Sequence, residues 1–239
     1  MRRLRSLLER SNKRRCDLIT QLPKWIEYGA FLLAFIAGCI NAIGLLGVEH
    51  QSISHLSGTA TLLGTSLLKD SYSLTLHLAG VIGAFFAGAA LSGLLLHSTA
   101  LKLGRHYDTA LAIEAVLLLT AMTLLKDNSH YGHYAASMAC GLQNAMVTTY
   151  SGAIVRTTHL TGIITDLGIM FGSMLRGESF HKRRAVLFSL IALGFISGGT
   201  LGAYLFGQFA FQALIAPAAI CALLAIGYRL YRLTARAEN

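Results

Sequence analysis

Six apolar stretches, at about 25–46, 74–97, 107–125, 131–149, 185–207 and 212–231, are each close to or longer than the roughly 20 residues a helix needs to cross a hydrocarbon core. Together they take up most of a 239-residue chain and leave no room for a separate soluble domain. A chain with 54% hydrophobic and 13% charged residues lies far from the roughly 25% charged residues of soluble domains. The reading is an all-α, polytopic helical membrane protein. A basic segment, 1–24, precedes one membrane domain, 25–233, and a short tail, 234–239, follows it.

The formal net charge of +9 is unevenly spread. Arg2, Arg3, Arg5, Arg10, Lys13, Arg14, Arg15 and Lys24 all precede the first span, the pattern that holds a terminus in the cytoplasm. Leu4, Leu7 and Leu8 give segment 1–20 an apolar face for the anionic leaflet. It lacks the interleaved aromatics of a base-stacking surface, so no nucleic-acid partner is expected. Ile36-Ala37-Gly38-Cys39 has the pattern of a lipoprotein cleavage box, but cleavage there would sever a repeated motif, and the basic region is longer than a signal peptide carries. The cysteines, Cys16, Cys39, Cys140 and Cys221, have no metal or disulfide spacing and are expected to be unpaired.

A ten-residue motif also occurs twice. His55-Leu56-Ser57-Gly58-Thr59-Ala60-Thr61-Leu62-Leu63-Gly64 and His159-Leu160-Thr161-Gly162-Ile163-Ile164-Thr165-Asp166-Leu167-Gly168 share His, Leu, Ser/Thr, Gly, Thr, Leu and Gly in register. A Gly-x-x-Asn-Ala precedes each, at Gly38 to Ala42 and Gly141 to Ala145. Two internal repeats follow, about 25–125 and 131–233. The motif helices are short: 55–68 covers about 21 Å and 159–175 about 25 Å, against a core of about 30 Å. Each is either re-entrant or the helical half of a broken span.

With both re-entrant there are six full spans and inverted repeats; Lys102, Arg105, Arg156, the Arg176/Lys182/Arg183/Arg184 cluster and Arg229, Arg232 and Arg236 join the N-terminus inside, leaving Lys69 and Lys126 outside. With both crossing there are eight spans and parallel repeats, and Lys102, Arg105 and Arg156 move outside. The positive-inside count favours six spans plus two short helices, with eight as the alternative. Both arrangements put the two termini in the cytoplasm. Gly80, Ala84, Gly88 and Ser92, and Gly194, Gly198 and Gly202, recur every four residues, a spacing that lets helix backbones approach closely. They read as a packing seam inside the bundle, with a homo-oligomer interface as the alternative.

The chain resembles the YoaK family of bacterial membrane proteins, a domain of unknown function, over about 25–233. Gly-Cys-Ile-Asn-Ala at 38–42, Ser-Gly-Thr at 57–59, Gly-Leu-Gln-Asn-Ala at 141–145 and Arg-Thr-Thr-His-Leu-Thr-Gly at 156–162 carry the likeness. It departs from the family's usual Thr-Gly-Asn at Ser57-Gly58-Thr59, and from an acid at Asn41. The resemblance implies a polytopic protein of the bacterial inner membrane with no settled activity.

Ser/Thr-Gly after His looks like a helix start, with Ser57 or Thr161 capping free amides. An uncovered helix N-terminus inside a membrane is a small positive site. In many secondary transporters short or broken helices at matching places in two repeats form the midplane site. The expected function is therefore a carrier or channel for a small polar, anionic or zwitterionic solute, with a non-transporting scaffold, lipid-binding or assembly protein as the alternative. The candidate solute-binding residues are Asn41, His55, Ser57, Gly58 and Thr61, with Gln143, Asn144, Arg156, His159, Thr161, Gly162 and Thr165. Asp166, an acid at membrane depth, is the candidate coupling residue or else pairs with Arg156, Thr165 or Gln143. Glu114, in mid-span, poses the same choice, and Glu27 and Asp108 read as interfacial. Ser57 or Ser151 beside a glycine is weak ground for a hydrolase, the pair His130 and His133 is weak ground for a metal, and no phosphate-binding loop is present. No enzyme activity, cofactor or metal is expected. The partners are the lipid bilayer and a small solute.

Overall fold

A computed structural model describes residues 25–47, 53–68, 71–96, 106–151 and 156–237. The basic segment 1–24, with Cys16, and Lys69, Asp70, Lys102 and Arg105 lie outside the described residues. Those described form helices α1 (Trp25–Leu46), α2 (Leu56–Ser66), α3 (Tyr72–Leu95), α4 (Tyr107–Lys126), α5 (Tyr131–Tyr150), α6 (Leu160–Leu175), α7 (Lys182–Phe209) and α8 (Ile215–Ala237). A 3-10 turn, Ala210–Leu214, links the last two and carries the chain from a helix packed on α1 to one packed on α4. Four stretches are long and apolar enough to cross a membrane: α1, α3, α4 and Lys182–Thr234, which holds both α7 and α8. α5 has 20 residues but carries Gln143, Asn144, Thr148 and Thr149.

The surface is inverted relative to a soluble protein. Phe86, Val116, Leu193, Ile196, Leu223 and Ile226 are all more than half exposed in the interior of long helices. Each would lose about 1.5–3 kcal/mol of transfer free energy in water relative to an apolar medium. Such a surface is at rest in hydrocarbon, and the molecule is a helical membrane protein.

Because lipid already satisfies apolar side chains, close backbone approach holds the bundle together. α1 and α7 run in the same direction, with the carbonyls of Phe31, Phe35 and Cys39 against Gly194, Gly198 and Gly202 in that order. A Cβ on Gly194 or Gly202 would lie 2.5 and 2.6 Å from its oxygen, while one on Gly198 or Gly38 would overlap the carbonyl of Phe35 or Phe195. α3 and α5 form a second parallel seam. Gly88 meets the Met138 carbonyl, Gly141 meets that of Phe85, and Ser137 donates to the Val81 carbonyl at 2.9 Å. Both glycine rows thus face helices of the same chain. Cys39 is buried inside α1, and Cys39, Cys140 and Cys221 are free thiols.

The helix ends sort into two groups. Trp25, starting α1, lies 6.0 Å from the ring of Tyr150, which ends α5; Tyr107, starting α4, lies 5.9 Å from Tyr150 and 6.5 Å from Tyr228 in the second half of α8. Glu27 pairs with Arg183 at the start of α7, and Asp108 with Arg232 of α8, both at 3.1 Å. The second group joins the start of α3 to that of α5, where the His77 ring meets those of His130 and His133 edge-on.

Candidate functional site

The two short helices begin alike. His55 and His159 are the residues before the first helical turn, with φ/ψ of −87/66° and −93/57°, and their carbonyls accept from Thr59 N and Ile163 N, both at 3.2 Å. Each imidazole folds back over that turn onto the glycine three residues on. A Cβ on Gly58 would lie 2.7 Å from His55 Nδ1, and one on Gly162 would collide with Nδ1 and Cε1 of His159. Glycine is there because the ring occupies the space of a side chain.

The capping expected of Ser57 and Thr161 is therefore corrected. Histidine holds the cap position without a side-chain cap bond, and Ser57 and Thr161 lie within the first turn. From there a hydroxyl is past the amides it would have to reach. Ser57 Oγ instead sits 3.2 Å from His55 Nε2. The opening amides of α2 and α6 keep their donors toward whatever faces them.

Both helix starts open on one cavity of about 600 Å³. Ser54, His55 and Ser57 line it from the first motif, and Arg156, Thr158, His159 and Thr161 from the second. Phe85 and Ala89 of α3 and Asn144, Thr148 and Thr149 of α5 complete the wall. Asn144 Oδ1 is enclosed with no hydrogen-bond partner among the described residues, and Arg156 forms no ion pair there. The site thus combines two helix N-termini, one guanidinium and several hydroxyls.

The remaining candidates stand behind this wall. Asn41 Oδ1 accepts from the backbone N and the Oγ of Ser54, at 2.9 and 3.1 Å, which ties the approach to α2 onto α1. Gln143, fully buried, does the same for the second approach, its Oε1 accepting from Thr157 Oγ1 at 3.5 Å. Thr61 and Thr165 each donate at 2.9 Å to a carbonyl one turn back, Ser57 O and Thr161 O. Gly58 and Gly162 seat the imidazoles. Asp166 is not part of the wall: it pairs at 3.0 Å with Arg184 of α7, rather than with Arg156, Thr165 or Gln143. The cause is the path of α6, whose body lies against α7. Glu114 is fully buried beside Cys221 and does not line the cavity.

Ser54 and Thr158 line the cavity and escaped the sequence reading, although each precedes the repeated histidine in register as a hydroxyl residue. Thr148 falls one turn after Asn144 and donates to its carbonyl at 2.6 Å, a spacing that places it on the same helix face. Phe85 and Ala89 had no legible signal, because they are apolar residues in an apolar helix.

No curated protein and no solved structure matches this chain. A family model does, over residues 29–227, a span that takes in both glycine seams and both motifs. The chain belongs to the family described as "Protein of unknown function (DUF1275)".

Proposed function

We propose that this protein is a carrier or channel that passes a small anionic or zwitterionic solute, chemically unchanged, through a site between the N-termini of α2 and α6. The observation that carries the reading is the shared cavity, because a scaffold gains nothing from bringing two helix starts and Arg156 onto one space lined by several polar side chains in an apolar bundle. Helix N-termini bind anions through their free amides and the helix dipole. Arg156 adds a fork of donors suited to a carboxylate or phosphate-like group.

The proposed topology is six spans with inverted repeats, α1 to α4 and α5 to α8. In its support, the start of α1 neighbours the end of α5, so these equivalent helices run oppositely. The α1/α7 seam has its counterpart in the α5/α3 seam, as inversion by a two-fold axis in the membrane plane requires. α2 is tied at Ser54 to the body of α1, and at Ser66 to Thr75 at the start of α3, at 2.9 Å. It therefore begins at depth and returns to the side from which the chain entered, and α6, with Asp166 on Arg184, does so from the opposite side. The basic N-terminus assigns the end holding Trp25 to the cytoplasm of a bacterial inner membrane. Asp166 would couple solute passage to the seating of α6 against α7.

Purified protein in proteoliposomes tests this. Flux of small anions or zwitterions that falls in Arg156→Gln and Thr161→Leu supports it; a folded parent that passes no solute supports the scaffold instead.

A further inference from the structure

At the other end of the α3/α5 seam, about 16 Å along α5 from Asn144 by residue count, three histidines converge. His77 comes from α3, and His130 and His133 from the start of α5. One ring nitrogen from each lies within 4.8 Å of the other two. The ring of His77 lies 5.3 Å from that of His130 and 5.4 Å from that of His133. His130 and His133 alone, three residues apart, meant little; His77, 53 residues earlier, changes their meaning.

We propose that His77, His130 and His133 form a divalent transition-metal site, with Zn²⁺ as its natural occupant. Neutral imidazole is a preferred donor for zinc at about 2.0–2.1 Å, and three protein ligands plus one open position make a familiar tetrahedral set. Three nitrogens no more than 4.8 Å apart share a point within about 2.8 Å of each, so side-chain shifts of under about 1 Å close the site. Among the described residues the cluster holds no carboxylate or thiolate, which disfavours calcium, magnesium and copper(I).

The surroundings hold the ligands in place. His77 lies in register with Val81, which accepts from Ser137, and Gly80 receives the Tyr134 ring, which also stacks on His77 at 5.3 Å. His77 and His133 are buried while His130 is exposed, so the site has a closed floor and one mouth for metal and water. A bound ion would clamp the start of α3 to the start of α5. This assignment is independent of what the cavity carries.

The test uses the full chain, purified in detergent through a tag without histidine and stripped with chelator. Titration with Zn²⁺ is expected to show one site per chain and a rise in thermal midpoint, and Co²⁺ to show the visible absorption of a tetrahedral nitrogen-rich site. His130→Ala, which alters an exposed residue, is expected to weaken Zn²⁺ binding by at least about tenfold. His77→Asn and His133→Asn are expected to abolish the cobalt spectrum, whereas His181→Ala, at the start of α7, keeps it. Sub-stoichiometric zinc binding, or a cobalt spectrum unchanged in His130→Ala, would overturn the proposal.

Discussion

Replacing Gly198 with alanine adds one methyl group where α1 and α7 are closest. That Cβ would overlap the Phe35 carbonyl, whereas ordinary contact begins near 3.4 Å, so the helices must part by roughly 1 Å or more. Every atom it would meet is helix backbone of Phe35, and none is a flexible side-chain end. Parting the helices also loosens two buried clusters, one holding Ile36 and Ile40 of α1 and the other Leu187 and Ile191 of α7, all essentially fully buried. Overpacking of this kind costs about 1–3 kcal/mol, and the better helix propensity of alanine returns up to about 1 kcal/mol. The expected net loss is about 1–2 kcal/mol. Gly207→Ala in the same helix meets nothing within 4 Å and should be neutral or stabilising by up to about 1 kcal/mol. Unfolding of the detergent-solubilised variants by SDS titration measures both. Since Gly38 meets the adjacent Phe195 carbonyl, Gly38→Ala combined with Gly198→Ala should lose less than the sum of the two. Equal stability of Gly198→Ala and Gly207→Ala would refute the close-approach account of this seam.

Gly162→Ala should push the His159 ring off the first turn of α6 and abolish flux, with less than about 1 kcal/mol lost in the same titration, because a side-chain ring yields where a carbonyl does not. Asn41→Ala removes both acceptor bonds to Ser54 and should lower flux with a loss of about 1–3 kcal/mol; flux equal to the parent's would show that the approach to α2 needs no anchor. Asp166→Asn and Arg184→Gln break the same part-buried pair, so each should cost about 1–2 kcal/mol and the two should share one flux phenotype; different phenotypes would separate Asp166 from Arg184. Cysteines introduced at Ser129 and Glu178 should be labelled by an impermeant thiol reagent from opposite sides of the membrane, Ser129→Cys from outside; labelling of both from one side would exclude inverted repeats.

Much of the architecture was legible because lipid imposes length and composition on any crossing helix. The stretch read at 25–46 is α1 to the residue, whereas that read at 185–207 is Lys182–Phe209. Its first turn was hidden by charge: Lys182, Arg183 and Arg184 look like a loop until Glu27 and Asp166 are seen to receive two of them. Glycine spacing announced the seams without naming partners, since Gly198 meets a carbonyl 163 residues away. The motif located the cavity through His55, Ser57, Asn144, Arg156, His159 and Thr161, all of which line it. Roles within the motif were harder to read. Helix-cap preference pointed to Ser57 and Thr161, but a histidine folded over glycine took that position, a tertiary arrangement that no single-residue propensity contains. His77 and the partner of Asp166 depend wholly on which helices pack together.

The central claim is that the cavity shared by α2 and α6 carries a small anionic or zwitterionic solute. Its most direct test is tracer flux into proteoliposomes holding the parent or Arg156→Gln, against a panel of small anions, zwitterions and cations at matched concentration. Saturable flux of an anion or zwitterion that drops at least about tenfold in Arg156→Gln, a loss of about 1.4 kcal/mol or more, is the expected result. Flux confined to cations, or anion flux indifferent to Arg156→Gln, would contradict it.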